Sequence, residues 1–472
     1  MKKGIKFLLS FTLIFAILSS MPVFANYNTV FDKSLQKEKK QIYADTYLLV
    51  SLDNDTVIFE KNADKKNAPA SLTKIITASI VIEKCPDLNQ KIKIERAPLE
   101  LLYGTGSSMA GLVPGEELSI KDLLYCLMVR SGNDAANILA DYIGNGSIPA
   151  FVDMMNDLAK RLGCKNTHFA NPHGLDDPNH YTTARDLLTF TKYALSLPHF
   201  EEITSTLHYK IPATSKSPER NLHNTNHLMN KAFADYYSPY AKGIKTGTTD
   251  NAGRCVISKG TGNGYNYLAI VMGSPFKNID DDPIEENCAF VDCKTMFDWV
   301  FKNIELQAVA SPNQIVDEIP IELSFEKDFL TLVPQEEVLA LVPKGTDGGG
   351  VLIEPIKDSI AQDVKAPIEK GQVLGQARVL YAGSEIARVN LVASETIDRN
   401  PILFLASIIK DAVTSTPFII IASVFASLFL IFIIIQLVHK HLEKKKRELH
   451  LVTPTVNSSG KYTNKNKDKK KK

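Results

Sequence analysis

The sequence predicts a mixed α/β (α+β) main region, then a small all-β domain and one C-terminal transmembrane helix. Three patterns carry this prediction. Residues 119–163 repeat apolar side chains at helical spacing: Leu123, Leu124, Leu127 and Met128, then Ala135, Ile138, Leu139 and Tyr142, then Phe151, Met154, Met155 and Leu158. Residues 46–60 and 254–272 instead read as strands joined by tight turns, and residues 316–394 break into short alternating runs such as Ile319-Pro320-Ile321-Glu322-Leu323. Residues 418–438 carry no charge, and about 20 apolar residues suffice to span the hydrocarbon core.

At 472 residues the chain is too long for one ordinary domain and fits two or three. Its net charge of +1 gives no reason to invoke nucleic acid. The six cysteines form no C-x-x-C pair and no zinc spacing. Cys126 and Cys255 fall in apolar runs and read as core, while any pairing of Cys288 or Cys293 is left open.

Taken in order, residues 1–25 hold Lys2, Lys3 and Lys6, an apolar stretch over 7–18 and Val23-Phe24-Ala25, which is a secretory signal peptide cleaved after Ala25. Residues 26–40 are polar and read as a flexible leader, with the main domain over 41–305. Two short apolar runs, 46–52 and 56–60, flank Asp53-Asn54-Asp55 as a hairpin, and a helix carrying Ser71 and Lys74 follows. Ser131 to Asn133 falls in a loop between two of the helices in 119–163. Residues 168–186 are loop-like, with three histidines and Asp176-Asp177. Their spacing matches no helical H-x-x-x-H, so no metal site is assigned and these histidines are expected to cap or face water. Residues 254–260 and 265–272 form a hairpin that puts Lys245 to Thr248 on or beside an edge strand. A helix over 293–304, with the single tryptophan Trp299, is expected to pack across that sheet.

The pattern changes near 308–314, and residues 313–399 form the all-β domain; its Gly348-Gly349-Gly350 lacks the Lys-Ser/Thr of a phosphate loop and reads as a turn. Within the juxtamembrane segment 400–417, residues 401–409 suit a helix lying at the membrane surface. The span 418–438 is followed by Lys440, Lys444, Lys445, Lys446 and Arg447. The positive-inside rule then puts the tail 439–472 in the cytoplasm, against or near anionic lipid, and residues 26–416 outside.

The chemistry starts at Pro69-Ala70-Ser71-Leu72-Thr73-Lys74. Residues three apart share a helix face, so the Ser71 hydroxyl and the Lys74 amine can meet, and a neutral lysine can take the proton of a serine nucleophile. A helix N-terminus there favours developing negative charge. One S-x-x-K string is weak, but Ser131-Gly132-Asn133 and Lys245-Thr246-Gly247 follow it in order. The three together are the signature of penicillin-binding proteins and class A β-lactamases.

The region from about 47 to 304 resembles the D-alanyl-D-alanine carboxypeptidases of the S11 peptidase type. Four longer strings carry the resemblance besides the motifs: Phe59-Glu60-Lys61-Asn62-Ala63, Ser131-Gly132-Asn133-Asp134-Ala135-Ala136, Asn171-Pro172-His173-Gly174-Leu175-Asp176 and Tyr181-Thr182-Thr183-Ala184-Arg185-Asp186. The β-domain resembles the family's C-terminal module less specifically. The resemblance implies a serine β-lactamase/transpeptidase-like fold, a helical subdomain on a five-stranded antiparallel sheet with the cleft between them. It implies peptidoglycan stem peptides as substrate, β-lactams as covalent inhibitors, no cofactor, and a place in cell wall biogenesis and cell shape. Ser71 would attack the bond between the terminal D-alanines with Lys74 as general base. Ser131 would relay a proton to the leaving amine and Asn133 would hold the substrate amide. Lys245 and Thr246 would bind the terminal carboxylate, Gly247 would leave room along the strand, and the N–H groups of Ser71 and Thr248 would form the oxyanion hole. Arg254 departs from the family's usual aromatic residue and puts a positive charge near the sheet, which bears on substrate preference.

Three alternatives stay open. A β-lactamase needs a glutamate on a loop after its S-D-N motif; here the motif is S-G-N, and no glutamate lies between Gly144 and Phe200. A wall-peptide binding module without turnover would not need Ser71, Lys74, Ser131 and Lys245 together. The motifs alone do not separate a carboxypeptidase from a D,D-endopeptidase or transpeptidase. The β-domain's position suggests a stalk between membrane and wall.

Overall fold

The computed structural model describes residues 27–278, 280–346, 350–381 and 383–450. The signal peptide expected at 1–25, most of the turn expected at 348–350 and the end of the Lys-rich tail lie outside the described residues. The described chain forms two compact units. One takes in residues up to Asp317 with Val333–Ile360 and Val373–Val392; the other takes in Glu318–Leu332, Ala361–Gln372 and the residues from Ala393 on.

The first unit opens on a difference from the sequence reading. The expected leader over 26–40 contains a helix, α1 (Asn28–Glu38). Phe31 is wholly buried, with its ring stacked 3.9 Å from Phe59 and edge-on to Trp299 at 5.3 Å. Phe31 and Leu35 sit one turn apart on the same helix face and are both buried. That stripe holds an otherwise polar helix in place.

Strands β1 (Thr46–Ser51) and β2 (Val57–Lys61) form the expected hairpin. A one-turn 3-10 helix, Ala70–Thr73, runs into α2 (Lys74–Lys84), which is buried almost throughout. The short β3 (Lys91–Lys93) and α3 (Ala97–Glu100) precede β4 (Glu117–Ser119), which pairs with β3. The helical run resolves into α4 (Ile120–Met128), α5 (Asn133–Ile143) and α6 (Ile148–Arg161). Ser119 and Asp122 cap α4 reciprocally, each side chain accepting the other's backbone N–H. Then come α7 (Ala184–Leu195), α8 (Phe200–Ser205) and the two-stranded ribbon β5 (His208–Ile211) with β6 (Arg220–His223).

The main sheet is completed by β7 (Ala241–Thr249), β8 (Gly253–Gly262) and β9 (Tyr265–Ser274), in the order β2-β1-β9-β8-β7 with antiparallel neighbours. Side chains alternate across it with period two. Leu48, Val50, Leu268, Ile270 and Met272 join the core built by α2, α4, α5 and α7. α9 (Cys288–Asn303) begins five residues earlier than expected, because the Asn287 side chain accepts the Ala289 N–H as its cap. It packs over the other face so closely that a Cβ on Gly260 would stand 2.6 Å from the Phe297 ring. All six cysteines are buried and unpaired.

The C-terminal part is all-β. β10 (Ile304–Ala310) pairs with β13 (Val338–Pro343), and β14 (Val351–Pro355), β15 (Val373–Tyr381) and β16 (Ser384–Ala393) form a meander. The segments between them carry β11 (Asp317–Pro320) and β12 (Phe329–Pro334). Within the second unit Glu322 bridges to Lys365 and Ile368 to Ile397. There α10 (Pro401–Thr414) starts at Asn400, whose side chain accepts the Ile402 and Leu403 N–H groups. α11 (Thr416–His450) follows; within it Thr416–Arg447 is the one helix among the described residues long and apolar enough to cross a membrane.

Candidate active site

Ser71 sits in the 3-10 turn, and Lys74 is the first residue of α2. The spacing read from the sequence brings them together, with Lys74 Nζ 2.7 Å from Ser71 Oγ. Lys74 is fully buried, and its Nζ also donates to Asn133 Oδ1 at 2.6 Å and to the His173 carbonyl at 2.7 Å. A neutral amine satisfies all three contacts: two N–H bonds go to the oxygens that can only accept, and the lone pair faces the Ser71 hydroxyl. Burial, then the neighbouring Lys245 cation, holds the Lys74 pKa well below the usual lysine range, with Asp134 opposing.

Across the cleft, Lys245 on β7 is equally buried and donates to Ser131 Oγ and to the Thr246 carbonyl, each at 2.9 Å. Burial pushes its pKa down to about 7. Ser131 links α4 to α5 in the left-handed region, φ +63°, and this turns its hydroxyl toward β7. Two anchors fix that turn: the Asn133 N–H donates to the Ser108 carbonyl at 2.8 Å, and the buried Asp134 carboxylate accepts the N–H groups of Ala110, Leu112 and Ala135. Thr246 Oγ1 lies 2.6 Å from Thr225 Oγ1. Gly247 passes so near the serine turn that a Cβ there would be 3.0 Å from the Ser71 nitrogen. Thr248 is exposed further along β7, opposite Arg254. The eight residues singled out in the sequence thus fall on three walls of one cleft: the serine turn, the α4–α5 turn and the edge strand.

Two supporting residues were missed. His173 and His180 are not water-facing loop histidines; both are buried. His180 Nδ1 accepts the Ala170 N–H at 3.0 Å, so its proton lies on Nε2, directed at Thr73 Oγ1 2.8 Å away. Thr73 in turn donates to the Ala70 carbonyl inside the serine turn. Burial holds His180 at about 4 and His173 at about 3. The loop around them clamps α2, since Thr77 Oγ1 donates to the Pro172 carbonyl at 2.6 Å while Lys74 bonds the next residue's carbonyl. Gly174 is needed there: its φ is +94°, and a Cβ would fall 1.8 Å from the Ala70 oxygen. For His173 the sequence signal was the string Asn171 to Asp176, whose packing role only the fold makes visible.

On β8 the Arg254 guanidinium is held by backbone beside the sheet. It donates to the backbone carbonyls of Glu286 at 2.5 Å, Ile284 at 3.0 Å and Pro275 at 3.4 Å, and stacks over Phe276. It closes the base of the segment between β9 and α9.

A serine with a buried lysine base, faced by a second lysine and serine, defines the penicillin-binding class of serine acyl-transfer sites. Residues 33–275 match the family model for the D-alanyl-D-alanine carboxypeptidases of peptidase type S11, and residues 305–399 match the C-terminal domain of penicillin-binding protein 5. The chain belongs to this S11 family of D-Ala-D-Ala carboxypeptidases, which are serine hydrolases. It is 32% identical to the D-alanyl-D-alanine carboxypeptidase DacF of Bacillus subtilis over 75% of this chain and 86% of that one. Penicillin binding protein 5 from Haemophilus influenzae superposes with a TM-score of 0.56 at 27% identity, over 76% of this chain and 98% of that one. The DacD carboxypeptidase from Francisella tularensis, at 24% identity, shares the fold with a TM-score of 0.60 over 76% of this chain and 95% of that one.

Proposed function

We propose that the chain removes the terminal D-alanine from peptidoglycan stem peptides through an acyl-enzyme on Ser71. The observation that carries this reading is the buried Lys74 amine, 2.7 Å from Ser71 Oγ with its other two contacts on oxygens that can only accept. Lys74 takes the hydroxyl proton as Ser71 Oγ bonds to the carbonyl carbon of the scissile amide. The oxyanion is held by the N–H groups of Ser71 and Thr248; a lost donor of this kind costs about 3 kcal/mol in well-studied hydrolases. Ser131, bonded to Lys245, passes a proton to the leaving amine, and D-alanine departs. Asn133 holds the substrate amide, and Lys245 with Thr246 binds the terminal carboxylate by charge-assisted contacts. Water then attacks the ester and restores Ser71. A β-lactam enters by the same attack and stays as a stable acyl group.

The α11 helix anchors the chain, with the basic residues from Lys440 on facing the cytoplasm and the site on the other side of the membrane. Intact mass of the full chain in detergent, incubated with a penicillin beside Ser71→Ala, tests the chemistry. A long-lived adduct that requires Ser71, with D-alanine released from a D-Ala-D-Ala peptide, is expected. An adduct that vanishes within seconds while penicillin is consumed would mean a β-lactamase, and no adduct would mean a binding module.

A further inference from the structure

Away from the cleft, two side chains converge for which the acyl-transfer chemistry has no use. The β5–β6 ribbon sets His208 directly opposite His223 at one end of its ladder. Both are exposed, and their Nδ1 atoms lie 2.8 Å apart, with the rings nearly perpendicular at 79°. Two nitrogen lone pairs repel at that distance, so a positive centre has to lie between them. A proton on one Nδ1 meets that need, and so does a metal ion. Among the described residues neither ring has any other hydrogen-bond partner.

We propose that His208 and His223 form a binding site for a divalent transition-metal ion of the copper–zinc type, clipped across the ribbon. Imidazole nitrogen suits these ions and not Mg²⁺ or Ca²⁺, and the affinity order favours Cu²⁺ over Zn²⁺. Metal–nitrogen bonds of about 2.0 Å at the right angle that tetragonal Cu²⁺ prefers place the two nitrogens about 2.8 Å apart. The present separation is 2.8 Å, so the rings need only turn their lone pairs toward a shared point beside the line between them. The ring that donates its Nδ1 proton shifts that proton to Nε2. Both lone pairs then face the metal. No third His, Cys, Asp or Glu among the described residues joins the pair, so water completes the coordination.

The position gives the clip a consequence. β6 runs directly into Asn224, which donates to the Thr204 and Thr206 carbonyls at 3.1 and 2.9 Å. Thr225 contacts Thr246 of the edge strand, and Asn226 donates to the Gly243 carbonyl. An ion at the end of the ribbon therefore stiffens the segment that buttresses β7.

The test titrates the full chain in detergent, stripped of metal by chelator, with Cu²⁺ alone, read by calorimetry and electron paramagnetic resonance. One ion per chain with the hyperfine pattern of two imidazoles is expected. His208→Asn and His223→Asn should each weaken binding tenfold or more while keeping penicillin acylation at Ser71. In the wild-type protein, Cu²⁺ should protect both histidines from acylation by diethyl pyrocarbonate, mapped by mass, a readout that needs no variant. Absence of binding by the wild type, affinity unchanged in both variants, or histidines left unprotected would overturn the proposal.

Discussion

Ser71 Oγ and Lys74 Nζ stand 2.7 Å apart, and the lysine is buried while the serine is only half-buried. The base is shielded from water and the nucleophile is open to substrate. A buried lysine without a carboxylate partner is costly to keep charged, so the same burial that stabilises the core also prepares the base.

The pH profile should show that coupling. Lys74 accepts the Ser71 proton only when it is neutral, so penicillin acylation should rise with pH as Lys74 loses its proton. It should fall again as Lys245, held at about 7, loses the charge that binds the carboxylate. Lys245 is the second cause of the lowered Lys74 pKa. Lys245→Gln removes that positive neighbour, so the rising limb should move to higher pH. Burial, the larger cause, remains, and the limb should stay below the ordinary lysine range. The rate itself should drop about a hundredfold with the loss of a preorganised donor. Stopped-flow acylation with a chromogenic β-lactam across pH 5–10 checks both; a slower variant with an unmoved limb would show that the two lysines are not electrostatically linked.

Acid stability is a second consequence. His180 is held at about 4 in the fold against 6.5 when exposed. Between those values the unfolded chain binds the extra proton and the folded chain does not, so stability falls as pH drops from 6.5 toward 4. The contribution is about 3 kcal/mol once pH reaches the lower value. His173, held at about 3, acts in the same sense as His180. Asp292, raised to about 6 by burial, acts in the opposite sense as pH rises from 4 to 6, and the measured slope is the net of such groups. His180→Gln removes the titration and should flatten the acid limb of urea midpoints measured from pH 7 to 4. A slope identical to wild type would place the titrating group elsewhere.

What could be read in advance, and what could not, follows from the range of the forces involved. Ser71 and Lys74 were legible because i,i+3 spacing is a local property of the helix, and Lys245 because Lys-Thr-Gly follows the other two motifs in order. The edge-strand position of Lys245 to Thr248 followed from the neighbouring hairpin. α1 was not legible. Its apolar face is little more than Phe31 and Leu35 in a polar stretch, and only contact with Phe59 and Trp299, far along the chain, gives that stripe a purpose. The burial of His173 and His180 was hidden for the same reason, since whether a loop histidine meets water depends on what packs above it.

The edge strand's approach to the serine turn gives a third test. A Cβ at Gly247 would meet the Ser71 nitrogen and Ala70 Cβ at 3.0 Å and the Pro69 carbonyl at 3.2 Å. Those are backbone or short side-chain atoms that cannot swing aside, so β7 has to retreat by a few tenths of an ångström. Gly247→Ala should therefore lower acylation tenfold or more, since small displacements at a reacting centre are expensive. The denaturation midpoint should change little, because only a local contact is relieved. Equal losses in stability and acylation would show that the glycine serves packing alone.

Arg254 offers the opposite separation. Its guanidinium bonds three backbone carbonyls of the segment between β9 and α9 and none of the cleft side chains. Arg254→Tyr, which restores an aromatic residue, leaves those carbonyls without their cation. Charge-assisted bonds of this kind are worth about 1.5–3 kcal/mol when buried. Arg254 is only partly buried, so a loss of about 1–2 kcal/mol is expected after allowance for water. Amide exchange should quicken over residues 275–286, while acylation at Ser71 should stay within twofold of wild type. If acylation falls sharply while exchange over that segment is unchanged, Arg254 acts on the cleft from across the β7–β8 pair, and its role here as a loop clasp is wrong.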